Sequence, residues 1–119
     1  MTTPSTPEDI VFDTVAELFS ILSTPIRLKI ISAVCSTEKN VSELLLEIDT
    51  TQSNMSQHLG MLYRSGVLSK RREGTQIYYK VQSERVATLC RAVCSQVAIE
   101  LDEDSPAKGV DRLVLGSAR

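Results

Sequence analysis

The feature that most constrains this chain is a change of hydrophobic period between Ser42 and Val81. Up to Ser65 the apolar residues recur at helical spacing, and from Val67 they fall into strand-like runs. A short helix is expected at about 42–48, carrying Leu44, Leu45 and Ile48, with Asn40 followed by Glu43, or Ser42 itself, as its cap. Asp49-Thr50-Thr51 is a turn, and Thr51 caps a further helix from Gln52 to about Ser65. Met55, Leu59 and Leu62 form the buried stripe of that helix, and Gly66 suits a left-handed cap at its end. The runs Val67–Arg72 and Gln76–Val81 then flank Glu73-Gly74-Thr75 and predict a β-hairpin. Two short helices joined by a tight turn, the second with a polar start, make a helix-turn-helix, and the hairpin after it reads as a wing.

The flanking segments complete a mainly α (α+β) fold, a winged helix-turn-helix with five helices and a two-stranded hairpin. Val11, Val15, Leu18 and Leu22 predict a first helix over residues 9–22, after a flexible segment 1–8. Ser23-Thr24-Pro25 stops that helix and starts a second over about 25–35, capped by Thr24 or Ser23, with Leu28, Ile31 and Val34 or Cys35 on one face. A polar loop, Ser36 to Asn40, follows. After the hairpin a long helix is expected over about 83–102, striped by Val86, Leu89, Cys90, Val93, Cys94, Val97 and Leu101. Residues 104–119 contain Pro106, Gly109 and Gly116 and predict a frayed tail, within which Val110, Leu113, Val114 and Leu115 are able to dock locally. Residues 9–103 are thus expected to form one winged helix-turn-helix domain. The stripes of the first and last helices exceed what one small core absorbs, so a homodimer is expected.

Charge narrows the function. The net charge is −2 and the pI about 5.4, so no general affinity for nucleic acid is implied. The distribution is uneven, however. From residue 64 to 85 the bases are Arg64, Lys70, Arg71, Arg72, Lys80 and Arg85, against only Glu73 and Glu84. The start of the chain carries Glu8, Asp9, Asp13 and Glu17 with no base before Arg27, and Glu100, Asp102, Glu103 and Asp104 form a second acidic block. Such a chain faces a polyanion with one surface. The polar, acidic N-terminus is no secretory signal, and no apolar run approaches the ~18–20 residues of a membrane span. Three irregularly spaced cysteines do not resemble a disulfide framework, so a reducing cytoplasm is expected. No phosphate loop, catalytic triad or paired carboxylates are present, and Cys90 and Cys94 lie mid-helix at the wrong spacing for a thiol oxidoreductase. The expectation is a binding protein with no enzymatic activity and no cofactor.

The partner these residues suit is double-stranded operator DNA. A helix that enters the major groove needs short or flexible hydrogen-bonding side chains near its N-terminus, and Gln52, Ser53, Asn54, Ser56 and Gln57 supply them. The helix N-terminus adds backbone donors for a phosphate. His58, the only histidine, is read as structural or phosphate-facing. Lys70, Arg71 and Arg72, with Thr75 at the hairpin tip, are candidate contacts to flanking phosphates or the minor groove. Strand alternation puts Lys70 and Arg72 on one face and Arg71 on the other. Tyr78 and Tyr79 read as sheet and core aromatics.

The sequence LFSILSTPIRLKIISAV resembles the opening of the ArsR/SmtB repressors, with its Leu-Ser-x-Pro-x-Arg-Leu-x-Ile signature, and TTQSNMSQHLGMLYRSGVLSKRREGTQIYYKV resembles their recognition helix and wing. The resemblance spans about residues 15–101 and implies a dimeric repressor released from DNA by an inducer. Where the family places cysteines before the recognition helix, this chain has Glu43-Leu44-Leu45-Leu46-Glu47-Ile48. Where it places ligands on the last helix, Ser83, Arg85, Gln96 and Ile99 stand, and none suits zinc. Attention passes to Cys35, Cys90 and Cys94. Thiol-sensing relatives that respond to persulfides or oxidants link the second helix to the last, through positions near Ser32 and Ala98 here. Cys35 lies one turn after the first position and Cys94 one turn before the second, which makes them a candidate pair. Alternatively all three thiols bind trivalent arsenic or another soft metal. A third reading leaves them as small core residues with another inducer.

Overall fold

Every helix of the N-terminal part starts at a residue whose side chain captures an orphan backbone N–H. The structure, a computed structural model, describes residues 6–103, and it falls into two compact units that divide between Ala87 and Thr88, each described by itself. The elements are α1 (Pro7–Ile21), α2 (Pro25–Ala33), α3 (Val41–Glu47), α4 (Gln52–Arg64), β1 (Leu68–Glu73), β2 (Gln76–Val81) and α5 (Glu84–Glu103). The Thr6 hydroxyl accepts from Asp9 N at 3.1 Å, and the Asp9 carboxylate accepts from Thr6 N at 3.4 Å. This capping box starts α1 at Pro7, so residues 7 and 8, expected to precede the helix, belong to it. Thr24 caps α2, Thr51 caps α4, and Asn40 with Glu43 forms a second capping box on α3, both of its bonds 2.9 Å long. Of the alternatives open in the sequence, Thr24 and Asn40 are therefore the caps used.

Glycine makes the two reversals that the wing needs. Gly66 (φ 82°) ends the turn after α4 and Gly74 (φ 63°) sits at the hairpin tip, both in the left-handed region. The hairpin is antiparallel and runs from Leu68 opposite Val81 to Glu73 opposite Gln76. The strand begins one residue later than Val67, which instead enters the core. Residues 104–119, including the expected tail, lie outside the described residues.

In the first unit α4 packs against α2, α3 and β1. Met55, Leu59 and Leu62 are fully buried there, with Ile30, Ile31 and Val34 from α2 and its cap, Leu44 and Ile48 from α3 and its cap, and Val67, Leu68 and Val86. α1 contributes no buried residue; its cap Leu22 is buried and Leu18 is half-buried. Its expected stripe is instead partly open, and Val11, Phe12, Val15 and Phe19 are exposed, Phe12 to 71%. In the second unit α5 continues from Thr88, with Leu89 and Cys90 half-buried and Val93, Val97, Ile99 and Leu101 exposed. Among the described residues no helix is long and apolar enough to cross a membrane.

Because Leu59 is wholly enclosed by the α2–α3–α4 core, Leu59→Ala is expected to lower stability by about 2–5 kcal/mol. Urea unfolding followed by circular dichroism measures this as a fall in midpoint at unchanged slope.

Candidate nucleic-acid interface

The burial of Met55, Leu59 and Leu62 fixes which side of α4 faces out. Gln52, Ser53, Asn54, Ser56 and Gln57 are all exposed, so the polar residues of the first turns form one open surface. Asn54 N is spent on the Thr51 cap at 3.0 Å, while the other N–H groups of the first turn have no intrahelical acceptor. That surface can donate and accept hydrogen bonds at base edges and bind an anion at its tip.

His58 stands at the boundary of this surface. It is half-buried, and its Nδ1 accepts from Arg27 Nε at 3.3 Å. Arg27 Nη1 also donates to the Ile21 carbonyl at 3.0 Å, and Arg27 N donates to the Thr24 cap at 3.2 Å. One arginine thus ties the end of α1 and the start of α2 to the middle of α4. With Nδ1 accepting, the neutral ring carries its proton on Nε2.

The wing sorts its bases by face. Lys70 and Arg72 share the face that also bears Leu68 and Tyr79, and the Lys70 ammonium lies 4.2 Å from the centre of the Tyr63 ring on α4. Arg72 is exposed and makes no ion pair among the described residues, and Thr75 is exposed at the tip. Arg71 points the other way. Its Nε donates to both Glu38 oxygens, at 2.8 and 3.0 Å, and its Nη2 also pairs with Glu38. Its Nη1 donates to Glu73 at 2.7 Å, and the guanidinium lies 5.0 Å over the Tyr78 ring. The fork holds the Glu38 carboxyl below the usual carboxylate range, chiefly through the Arg71 hydrogen bonds, and raises the Arg71 guanidinium further above its ordinary value. Burial alone pushes the Tyr79 hydroxyl up.

The α2–α3 loop that carries Glu38 runs alongside the wing. Lys39 N donates to Tyr79 O at 3.1 Å and Tyr79 N donates to Lys39 O at 2.8 Å, a single antiparallel bridge on the free side of β2. Asn40 Nδ2 donates to Gln76 Oε1 at 3.2 Å, and the Lys39 ammonium pairs with Glu47 of α3.

The cysteines lie in both units. Cys35, half-buried, follows α2 in the first; Cys90, half-buried, and Cys94, exposed, lie four residues apart on α5 in the second. Among the described residues no three or more His, Cys, Asp or Glu side chains gather as metal ligands.

The sequence and the fold are matched by known proteins. The family model described as "Bacterial regulatory protein, arsR family" matches residues 24–70, from the α2 cap to the first half of β1. A helix-turn-helix transcriptional regulator from Mycobacterium tuberculosis is 35% identical over 104 residues, 87% of this chain and 90% of that one. The chain belongs to the ArsR family. This ArsR-family protein is accordingly a DNA-binding transcriptional regulator and not an enzyme. It is similar to the crystal structure of the transcriptional repressor BigR from Xylella fastidiosa, with a TM-score of 0.69 and 34% identity, covering 76% of this chain and 95% of that one. It is also similar to the solution structure of the homodimeric winged helix-turn-helix domain of a possible ArsR-family regulator from Mycobacterium bovis, with a TM-score of 0.65 and 30% identity over 84% of this chain and 92% of that one.

Sequence reasoning singled out every exposed residue at the start of α4 but missed Arg27 as a tie to His58, Glu38 as the partner of Arg71, and Tyr63 beneath Lys70. Such pairs join distant stretches of chain, and only the separation of Arg71 from its neighbours by strand alternation hinted at one of them. Because the Glu38 carboxyl is stabilised in its charged form by Arg71, the pair is intact at neutral pH and is lost only as pH falls below the ordinary value of 4.5. A carboxyl NMR titration is expected to place Glu38 below 4.5 in the native protein and to return it to the ordinary range in Arg71→Gln.

Proposed function

We propose that this ArsR-family protein is a homodimeric transcriptional repressor whose α4 reads an operator in the major groove while its wing grips the flanking backbone. The observation that carries this reading is the open polar surface of Gln52, Ser53, Asn54, Ser56 and Gln57 beside the exposed Arg72 and the Lys70 ammonium. Gln52, Asn54 and Gln57 are the side chains suited to base edges; Ser53 and Ser56 suit phosphate or base. His58, with Nδ1 already engaged, offers Nε2–H to a phosphate. Lys70, Arg72 and Thr75 serve the sugar-phosphate backbone, and Arg71 acts through Glu38. The exposed apolar face of α1, from Val11 and Phe12 to Val15 and Phe19, and that of α5 at Val93 and Val97, suit burial against a second copy. The homodimeric neighbour supports this. A two-fold dimer sets the recognition helices one helical turn of DNA, ~34 Å, apart on a pseudo-palindrome.

The inducer reading is a thiol-directed signal, a persulfide or an oxidant, received by Cys35 and Cys94, with Cys90 as a further candidate thiol. The exposure of Cys94 supports access by such a reagent. A coupling of ~1–3 kcal/mol between thiol state and DNA binding lowers affinity about 5- to 150-fold. The second reading, trivalent arsenic held by all three thiols, makes a different demand on the same residues.

Two measurements check these assignments. In DNA titrations across salt concentrations, Lys70→Ala and Arg72→Ala are expected to weaken binding to all sequences. Each is also expected to flatten the salt dependence, by about one unit of slope for every phosphate that the variant no longer neutralises. Gln52→Ala and Gln57→Ala are expected to change sequence preference instead; unchanged affinity and preference in both sinks the base-reading role of α4. For the switch, wild type and Cys35→Ser, Cys90→Ser and Cys94→Ser are titrated with DNA in the presence of polysulfide, peroxide, arsenite or zinc. Loss of the polysulfide response in the Cys35 and Cys94 variants alone supports the thiol signal, and an arsenite response that needs all three supports the metalloid. A triple variant that responds as wild type does removes both.

A further inference from the structure

The three consecutive bases of β1 do not share one task. Arg71 is committed to Glu38 through a fork that uses both carboxylate oxygens, is braced by Glu73, and lies across Tyr78. Glu38 in turn sits one residue before Lys39, whose backbone pairs with Tyr79 in both directions. The next residue, Asn40, bonds Gln76 at the wing tip end of β2 and also caps α3, the first helix of the helix-turn-helix. Side chain and backbone together make the stretch Glu38 to Asn40, through one isolated bridge to β2 and the Asn40–Gln76 bond, a link that joins the wing to α3. A two-stranded hairpin alone is marginal and free to twist. Here its angle to the helices is set from one side by Leu68 in the core and from the other by this loop.

We propose that Glu38 and Arg71 are positioning residues for DNA binding: the pair holds the wing at the angle at which Lys70 and Arg72 meet the backbone flanking the groove that α4 enters. The inference rests on the reading of α4 and the wing as the DNA surface. It assigns an acidic residue a favourable part in binding a polyanion, and this makes it easy to distinguish from direct electrostatics. If Glu38 were a bystander, removing its charge would tighten binding, because one repulsive charge near the phosphates is gone. If Arg71 met a phosphate directly as a point charge, Arg71→Lys would keep most of the affinity. A fork onto a carboxylate does not survive that exchange, because lysine offers a single ammonium in place of the planar guanidinium.

The test compares wild type, Glu38→Gln, Arg71→Gln, Arg71→Lys, the Glu38→Gln/Arg71→Gln double variant and Lys70→Ala on one mixed-sequence duplex across a salt series. Thermal melting runs in parallel, since both side chains are at the surface and their replacement leaves the core intact. Glu38→Gln is expected to weaken binding about threefold per wing, hence about tenfold for a dimer that uses two wings, in line with the modest worth of surface ion pairs. It is also expected to flatten the salt dependence, a result that removal of a negative charge does not produce by direct action. Arg71→Lys is expected to behave like Arg71→Gln, and the double variant to bind no more weakly than Arg71→Gln alone, as members of one unit do. Glu38→Gln binding as tightly as wild type or more tightly overturns the proposal, as does full affinity in Arg71→Lys beside a loss in Arg71→Gln. Should wild type and Lys70→Ala bind the duplex equally, or wild type not at all, it is the DNA reading of the wing that falls, and the positioning role with it.

Discussion

The burial of Met55, Leu59 and Leu62 is the constraint on which the interface depends. A helix with that stripe against α2 and α3 has one rotational setting about its own axis, because turning it exposes apolar area worth about 25 cal/mol per Å² and opens cavities in a close-packed core. The setting presents Gln52, Ser53, Ser56 and Gln57 outward as one surface. Arg27 adds a polar tie to this packing, since its guanidinium donates to both His58 Nδ1 and the Ile21 carbonyl. Apolar packing sets the rotation, and the polar tie links the middle of α4 to the end of α1 and the start of α2.

Much of this was legible in the chain itself. The caps at Thr24, Asn40 and Thr51 were readable because each uses residues within three positions of one another, as Asn40 with Glu43 does; the Thr6–Asp9 box is equally local, but the expected start of α1 at residue 9 passed over it. The left-handed glycines were readable for the same reason: a φ above zero is a local demand. The core stripe of α4 followed from its period alone. The stripe of α1 was harder, because period marks an apolar face without saying what covers it, and Val11 and Val15 share the open side with Phe12 and Phe19, which the pattern did not single out.

The side-chain ties were less legible. A run of Lys70, Arg71 and Arg72 looks uniform in sequence and divides into two sets in space, because alternation sends the middle base to the opposite face. Nothing local distinguishes Glu38 from the other polar residues of its loop. Its partner stands 33 residues away, and it is the backbone pairing of Lys39 with Tyr79, with the Asn40–Gln76 bond, that brings the loop to the wing. Long-range polar pairs of this kind are set by topology and are invisible to periodicity.

The bridge at Lys39 also leaves the hairpin asymmetric. β2 has β1 on one side and Lys39 on the other, whereas among the described residues no strand lies along the outer side of β1. A strand with open N–H and C=O groups is a template for another chain, and folded proteins must blunt it to stay dispersed. In β1 the blunting is built into Lys70, Arg71 and Arg72: two such edges brought together would align like charges, which disfavours edge-to-edge pairing. Neutralising these bases removes that protection, so a variant altered at this strand for any other purpose acquires a sticky edge as well.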